Sequence, residues 1–358
     1  MHSSTSSSEG RRPNNRWGGP LAGGALVALL LFLLLEVVMR MLGNMPGVRD
    51  DASLWGLMRT RANAPDALVL IGDSRMQLDI DVARLSQLSD RPVVQLAIDG
   101  QTYLPVLRDL ADDPNFRGTV LVAANNAPPA IGTADREANA LIDHWHRRMK
   151  GQWSAYINAW LGLQLQGTSG WFATDLPREE IFRRIVAGRK TSSYLQTLPD
   201  RSRRADYGPP EAQAQFYVSR VLRNYVKPFD GRGITDIAGF EARLESLLAQ
   251  EQPRNPAGLE QTILQIGKWA TAIRSRGGKV IFIALPRSGM IRRIEDVRTP
   301  REMYWDPFLA GTGGAGLHFA DEPALAGYRA PDGSHLDQRQ VGPFTEDLYA
   351  ALIARGLL

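Results

Sequence analysis

Two short runs hold the residue types that nucleophilic chemistry needs. One is Ile71-Gly72-Asp73-Ser74-Arg75, the other Asp332-Gly333-Ser334-His335-Leu336. A serine hydroxyl attacks poorly until a base takes its proton, and imidazole is the side chain that titrates near neutral pH. Asp332 precedes His335 by three residues across a Gly-Ser loop. It can therefore fold back onto the ring, fix its tautomer and leave the other ring nitrogen free as a base. The five histidines are His2, His144, His146, His318 and His335, so any histidine-based chemistry must draw on that short list. A second Asp-x-x-His occurs at Asp143-His144-Trp145-His146. It lies in a helix-like stretch where side chains two apart do not share a face, and it reads as structural. Gly-Asp-Ser by itself is equally a tight turn into a helix N-cap.

Two further runs could stabilise negative charge on a reacting oxygen. Ile98-Asp99-Gly100-Gln101-Thr102 places a glycine where its backbone N–H can be exposed, or simply forms a turn. Ala123-Ala124-Asn125-Asn126 offers a side-chain amide donor, or a turn-forming Asn pair. Other chemistries find little support. Cysteine is absent, which removes disulfides, thiolate metal sites and a cysteine nucleophile. Gly311-Thr312-Gly313-Gly314-Ala315-Gly316 fits G-x-G-x-x-G, but no strand pattern precedes it and no helix pattern follows, so a dinucleotide site is not expected. There is no P-loop, no His-Glu-x-x-His, and no carboxylate–histidine cluster that demands a metal. No metal and no cofactor are expected. The net charge of +4 is spread along the chain rather than gathered into one basic face, which argues against a nucleic-acid partner.

The positions of these runs follow from the elements around them. Short apolar runs at Asp66–Gly72, Pro92–Ile98, Thr119–Ala124 and Lys279–Leu285 read as buried parallel strands, and Leu317–Ala320 is a weak fifth. Helical patterns at Val82–Leu88, Leu104–Asp112, Leu259–Arg276 and Val341–Leu357 alternate with them, which predicts a parallel sheet covered on both faces. Ser74, Gly100 and Asn125 each fall just after a strand, where open α/β sheets collect their reactive groups. Between the third and fourth strands, residues from about 128 to 255 shift in composition and read as a mainly helical insertion. Helical stretches there cover about Ala138–Leu165 and Glu211–Val226. Trp145, Trp153, Trp160 and Trp171 lie in this insertion and read as core rather than as a sugar-stacking surface.

The N-terminus carries a different signal. Residues 1–17 are Ser-rich and then basic, with Arg11, Arg12 and Arg16, and Gly18–Leu35 contains no charge. The apolar run extends to Met39, about the twenty residues a bilayer-spanning helix needs. Basic residues before the run and mixed charges after it predict an N-terminus in the cytoplasm, with the rest of the chain across the membrane. In a Gram-negative cell that is the inner membrane with the domain in the periplasm. The expected organisation is a tail at 1–17, an anchor at 18–41, a linker at 42–65 and one domain at 66–358.

Gly72-Asp73-Ser74, Gly100, Ala123-Ala124-Asn125-Asn126 and Asp332-Gly333-Ser334-His335, in that order, resemble the four blocks of the SGNH (GDSL-type) hydrolase superfamily. The resemblance covers about residues 66–126 and 279–357. It implies a flavodoxin-like three-layer α/β/α parallel sheet and an ester hydrolase or O-acyltransferase mechanism. Carried onto this chain, Ser74 is the nucleophile, His335 the base and Asp332 its orienter, while the Ser74 N–H, the Gly100 N–H and the Asn125 side chain form the oxyanion hole. The third block departs from the family pattern, with Ala123 where a Gly is common and Asn126 where an Asp is common. The anchor, Arg75 and Leu285-Pro286-Arg287-Ser288 resemble a membrane-anchored subgroup tied to O-acetylation, or other acyl transfer, on cell-surface polymers. That subgroup implies a carbohydrate polymer or acyl-ester substrate and a membrane protein that donates the acyl group. The alternative is a catalytically silent scaffold or binding subunit of a polysaccharide export or modification assembly.

Overall fold

The computed structural model describes residues 18–41, 47–169, 195–208, 210–225 and 236–358, with a few isolated positions between them. Five strands form one parallel sheet: β1 (Leu68–Ile71), β2 (Val93–Gln95), β3 (Thr119–Ala123), β6 (Lys279–Ala284) and β7 (Ala315–His318), in the order β2-β1-β3-β6-β7. β4 (Leu195–Thr197) and β5 (Arg203–Ala205) make a separate antiparallel pair. The central strands read LVLI and TVLVA and are buried along their length, as a sheet with helices on both faces requires.

The chain moves from β1 outward to β2, then returns past β1 to β3. That reversal sends the crossover helices to opposite faces, since each parallel crossover is right-handed. Helices Val82–Ser89 and Gln338–Ala354 pack together in one layer, and Leu104–Asp112 and Leu259–Arg274 in the other. The fold is therefore the three-layer parallel α/β sheet expected. In such sheets a reversal of this kind marks the carboxyl ends of the two central strands, here β1 and β3, as the usual ligand position.

Several elements differ from the sequence reading. β7 begins two residues before the expected fifth strand, and Phe319–Asp321 is a short 3₁₀ turn rather than its continuation. The stretch 42–65, which reads as a linker, contains the helix Ala52–Arg61, whose Trp55, Leu57 and Arg59 are fully buried. Its arginines hid it: Arg59 lies inside the molecule because Asp109 and Asp113 hold it at 2.6 and 2.9 Å. The insertion is not only helical, since it includes the β4–β5 hairpin. Ala138–Leu165 is broken in two, with Arg136–His144 running into a π-helical turn at Trp145–Met149 before Trp153–Thr168. Of its tryptophans, Trp145 is core, while Trp153 and Trp160 are exposed, contrary to expectation. Trp171, Val226 and the basic tail lie outside the described residues.

The helix Gly18–Met41 is long and apolar enough to cross a membrane. Its 24 residues span ~36 Å against a hydrocarbon core of about 30 Å.

Candidate active site

The site starts at the end of β1. Gly72 takes φ +154°, and a Cβ built there would stand 2.7 Å from the Ala123 Cβ at the end of β3. Only glycine allows both that conformation and that approach. The Gly72 carbonyl accepts a hydrogen bond from the Ile98 N–H at 3.0 Å, so the segment after β2 continues alongside this turn. Asp73 then caps the helix Ser74–Leu78 by accepting from the Arg75 N–H at 3.0 Å. The N-cap and the serine are thus compatible, because the cap is Asp73 and the hydroxyl belongs to the first helical residue.

Ser74 Oγ lies 2.8 Å from His335 Nε2, and His335 Nδ1 lies 2.8 Å from Asp332 Oδ2. All three side chains are buried. The other Asp332 oxygen accepts the backbone N–H groups of Ser334 and His335 at 2.9 and 2.8 Å, which pins the Asp-Gly-Ser-His loop around its own carboxylate. Burial pushes the Asp332 carboxyl up, but the hydrogen bond and charge of His335 and the charge of Arg220 outweigh it, holding the group well below the usual carboxylate range. Asp332 is therefore an ionised acceptor at neutral pH. It keeps the proton on His335 Nδ1 and leaves Nε2 as the acceptor for the serine hydroxyl.

Arg75 ties three of the expected blocks together. Its Nη1 donates to Asn125 Oδ1 at 2.6 Å and its Nε donates to Ser334 Oγ at 3.2 Å. Burial pulls its charge down, while Asp73, Glu295, Asp79 and Asp332 pull it up and win. With its oxygen held by Arg75, the Asn125 amide has a fixed orientation, and its NH₂ group faces away from that bond as a donor. Gly100 sits in an exposed turn at φ +69°, two residues beyond the Ile98 contact with Gly72. The structure thus brings Ser74, His335 and Asp332 into direct contact, links Asn125 to them through Arg75, and puts Gly100 at the same sheet edge.

Asn126 occupies a different place from its neighbour. It is buried, with its oxygen accepting from Arg287 at 3.1 Å and lying 3.2 Å from His318 Nε2, and its amide donating to the Thr299 carbonyl at 3.2 Å. It braces the strand end rather than Ser74. His318 is pushed down to about 4, first by burial and then by the charges of Arg287 and Arg301, so it is neutral at pH 7. The second Asp-x-x-His does not pair with itself. His146 Nε2 lies 2.6 Å from Asp109 Oδ1, and Asp143 pairs with Arg147 at 3.1 Å. Its structural reading agrees with these contacts.

Sequence reasoning missed what the insertion contributes. Arg220, on the helix Pro210–Asn224, stands 3.2 Å from Asp332 Oδ2, the oxygen that also holds His335. Arg203 pairs with Asp99 at 2.8 Å, and Arg201 donates to the Gln95 carbonyl at 3.0 Å. The hairpin is thereby fastened to the carboxyl end of β2. No local signal marks Arg220, since its partner lies more than a hundred residues away in sequence. Arg75 is marked in sequence by adjacency to the serine and by the subgroup resemblance, but neither shows its contacts with Asn125 and Ser334.

No protein-family model and no curated protein sequence matches the chain. Among solved structures, the crystal structure of TesA is similar over 81% of this chain and 99% of its own, with 14% identity and a TM-score of 0.32. The fold class rests on the strand order and crossovers of this chain itself.

Proposed function

We propose that the chain is a membrane-anchored, serine-dependent acyl-ester enzyme. The observation that carries this is the continuous path from Ser74 Oγ through His335 to the ionised Asp332, with both contacts at 2.8 Å. Ser74 Oγ attacks an ester carbonyl while His335 Nε2 takes its proton. The carbonyl electrons move onto oxygen, where the Asn125 amide and the backbone N–H groups of Gly100 and Ser74 can meet the developing charge. On collapse, the leaving alcohol takes the proton back from His335 and the acyl group stays on Ser74. A second hydroxyl, from water or from a sugar, then loses its proton to His335 and accepts the acyl group, and His335 returns that proton to Ser74 Oγ as its acyl bond breaks.

The helix Gly18–Met41 supports an anchored protein, and the basic residues before it support a cytoplasmic N-terminus with the catalytic domain on the far side. The substrate reading rests on the resemblance of the anchor, Arg75 and Leu285-Pro286-Arg287-Ser288 to the membrane-anchored subgroup: an acyl ester on an exported or envelope polysaccharide, with a membrane protein as acyl donor. A fluorophosphonate probe on the full chain in detergent tests the chemistry. We expect an adduct on Ser74 by peptide mass spectrometry that disappears in Ser74→Ala and falls sharply in His335→Ala. A folded protein that gives no adduct on Ser74 refutes the serine mechanism. Acyl release to water against release to an oligosaccharide then separates hydrolase from transferase.

A further inference from the structure

The helix Trp153–Thr168 carries large apolar side chains on both its buried and its exposed sides. Leu163, Ala155, Tyr156 and Ala159 pack on the core. Trp153, Ile157, Trp160, Leu161 and Leu165 are exposed by 81%, 49%, 43%, 47% and 62%. At 3.6 residues per turn these five lie within an arc of about 140°, shared with Ser154, Gln164 and Thr168. A contiguous apolar stripe with two tryptophans is costly to leave in water and marks a surface with an occupant.

What covers it is indicated by the helix's neighbour. Ser169 Oγ donates to Glu36 Oε2 at 2.8 Å, and Arg40 reaches the Thr168 carbonyl at 3.4 Å. Glu36 and Arg40 lie in the last turns of Gly18–Met41 and pair with each other at 2.8 Å. The apolar helix therefore ends where the candidate membrane span ends. Just before its other end stand exposed Arg147, Arg148 and Lys150, with Arg147 paired to Asp143. Tryptophan and leucine on one face with cationic side chains beside it is the composition of a helix lying in a membrane interface.

We propose that Trp153–Thr168 is an interfacial helix. It lies in the headgroup region of the bilayer that Gly18–Met41 crosses, with its exposed stripe in lipid and Arg148 and Lys150 toward phosphate. This rests on the anchored reading above. It adds a second membrane contact, which fixes the orientation of the catalytic domain instead of leaving it on a free tether.

The chain contains no cysteine, so single cysteines can carry a spin label without background. Full-length chains with Ile157→Cys, Trp160→Cys, Leu161→Cys or Leu165→Cys are reconstituted into phosphatidylcholine–phosphatidylglycerol vesicles. Collision with oxygen is then compared with collision with a water-soluble nickel chelate. Leu30→Cys is the lipid reference and Gln87→Cys the aqueous one. The expected result is oxygen access exceeding chelate access at all four stripe positions, as at Leu30. Chelate access dominating at the stripe while Leu30 stays in lipid overturns the interfacial helix and leaves the anchor standing. Low access to both reagents means a protein surface covers the stripe, and likewise overturns it. Chelate access at Leu30 overturns the anchor and the inference together.

Discussion

Gly72 offers a measurable link between backbone geometry and the position of the serine. Gly72→Ala adds one methyl group with two separate consequences. The residue must hold φ +154°, which costs a side-chain-bearing residue about 1–3 kcal/mol. Its Cβ also meets the Ala123 Cβ at 2.7 Å, where apolar carbons prefer about 3.5–4.0 Å. An overlap of that kind in a packed interior costs about 1–3 kcal/mol. The sum, about 2–6 kcal/mol, corresponds to a drop in melting temperature of roughly 4–12 °C for a domain of this size. Ala123→Gly alone should cost about 1 kcal/mol, from a lost half-buried methyl and a more flexible backbone. Combining the two removes the overlap and keeps the φ strain, so the double variant should be more stable than additivity predicts by about 1–3 kcal/mol. Urea and thermal unfolding of the four detergent-solubilised proteins measure the cycle. Fluorophosphonate labelling reports whether Ser74 has moved, and labelling should slow in Gly72→Ala beyond what stability explains. Additivity within about 0.5 kcal/mol would refute the steric contact. A Gly72→Ala protein as stable as the parent would refute the strain as well.

Other outcomes follow from the same geometry. Asn125→Ala should slow acylation of Ser74 by about 10²–10³-fold if its amide meets the oxyanion. Arg75→Gln should slow it less, and should add little once Asn125 is already alanine, because Arg75 acts through that amide; single-turnover rates of the three variants check this. Arg220→Met removes a cation 3.2 Å from Asp332, one of the charges that hold that carboxyl below the usual carboxylate range. Acylation of Ser74 should therefore slow in the variant, and an unchanged single-turnover rate would exclude Arg220 from supporting the Asp332–His335 contact. His318 is held neutral, with its folded value pushed down to about 4 from 6.5. Between those values the unfolded chain binds the extra proton, so stability should decline as pH falls from about 6.5 to 4, by up to about 3 kcal/mol. Urea midpoints across that range should show the decline, and His318→Gln should flatten it.

The sheet was legible because its strands are short, apolar and separated by helices of ordinary periodicity. Leu68–Ile71 and Thr119–Ala123 are hydrophobic at every position because both their faces are covered. β7 was harder to place, since its sequence AGLH carries a single large apolar residue and draws its strand character from pairing with β6. The helix Ala52–Arg61 escaped for the opposite reason: its buried arginine reads as surface until Asp109 and Asp113 are seen beside it. In the site, Ser74, Asp332 and His335 were readable because each stands in a short run with its own local geometry. The couplings made by Arg75 and Arg220 were not, because they depend on how distant segments meet. The exposure of Trp153 and Trp160 was missed on composition, which makes tryptophan a core residue by default.

The distance along the chain between Ser74 and His335 sets an order of events during synthesis. His335 lies 261 residues after Ser74, so the strand and loop leading to it are made well after β1, β2 and β3. Domains fold as they emerge, so β1, β2 and β3 can assemble around Ser74 long before His335 exists. Through that interval the serine is an ordinary alcohol. On the proposed mechanism the nascent chain cannot acylate Ser74 even once β6 and β7 have joined the sheet, because the step waits for the loop carrying Asp332 and His335 to dock.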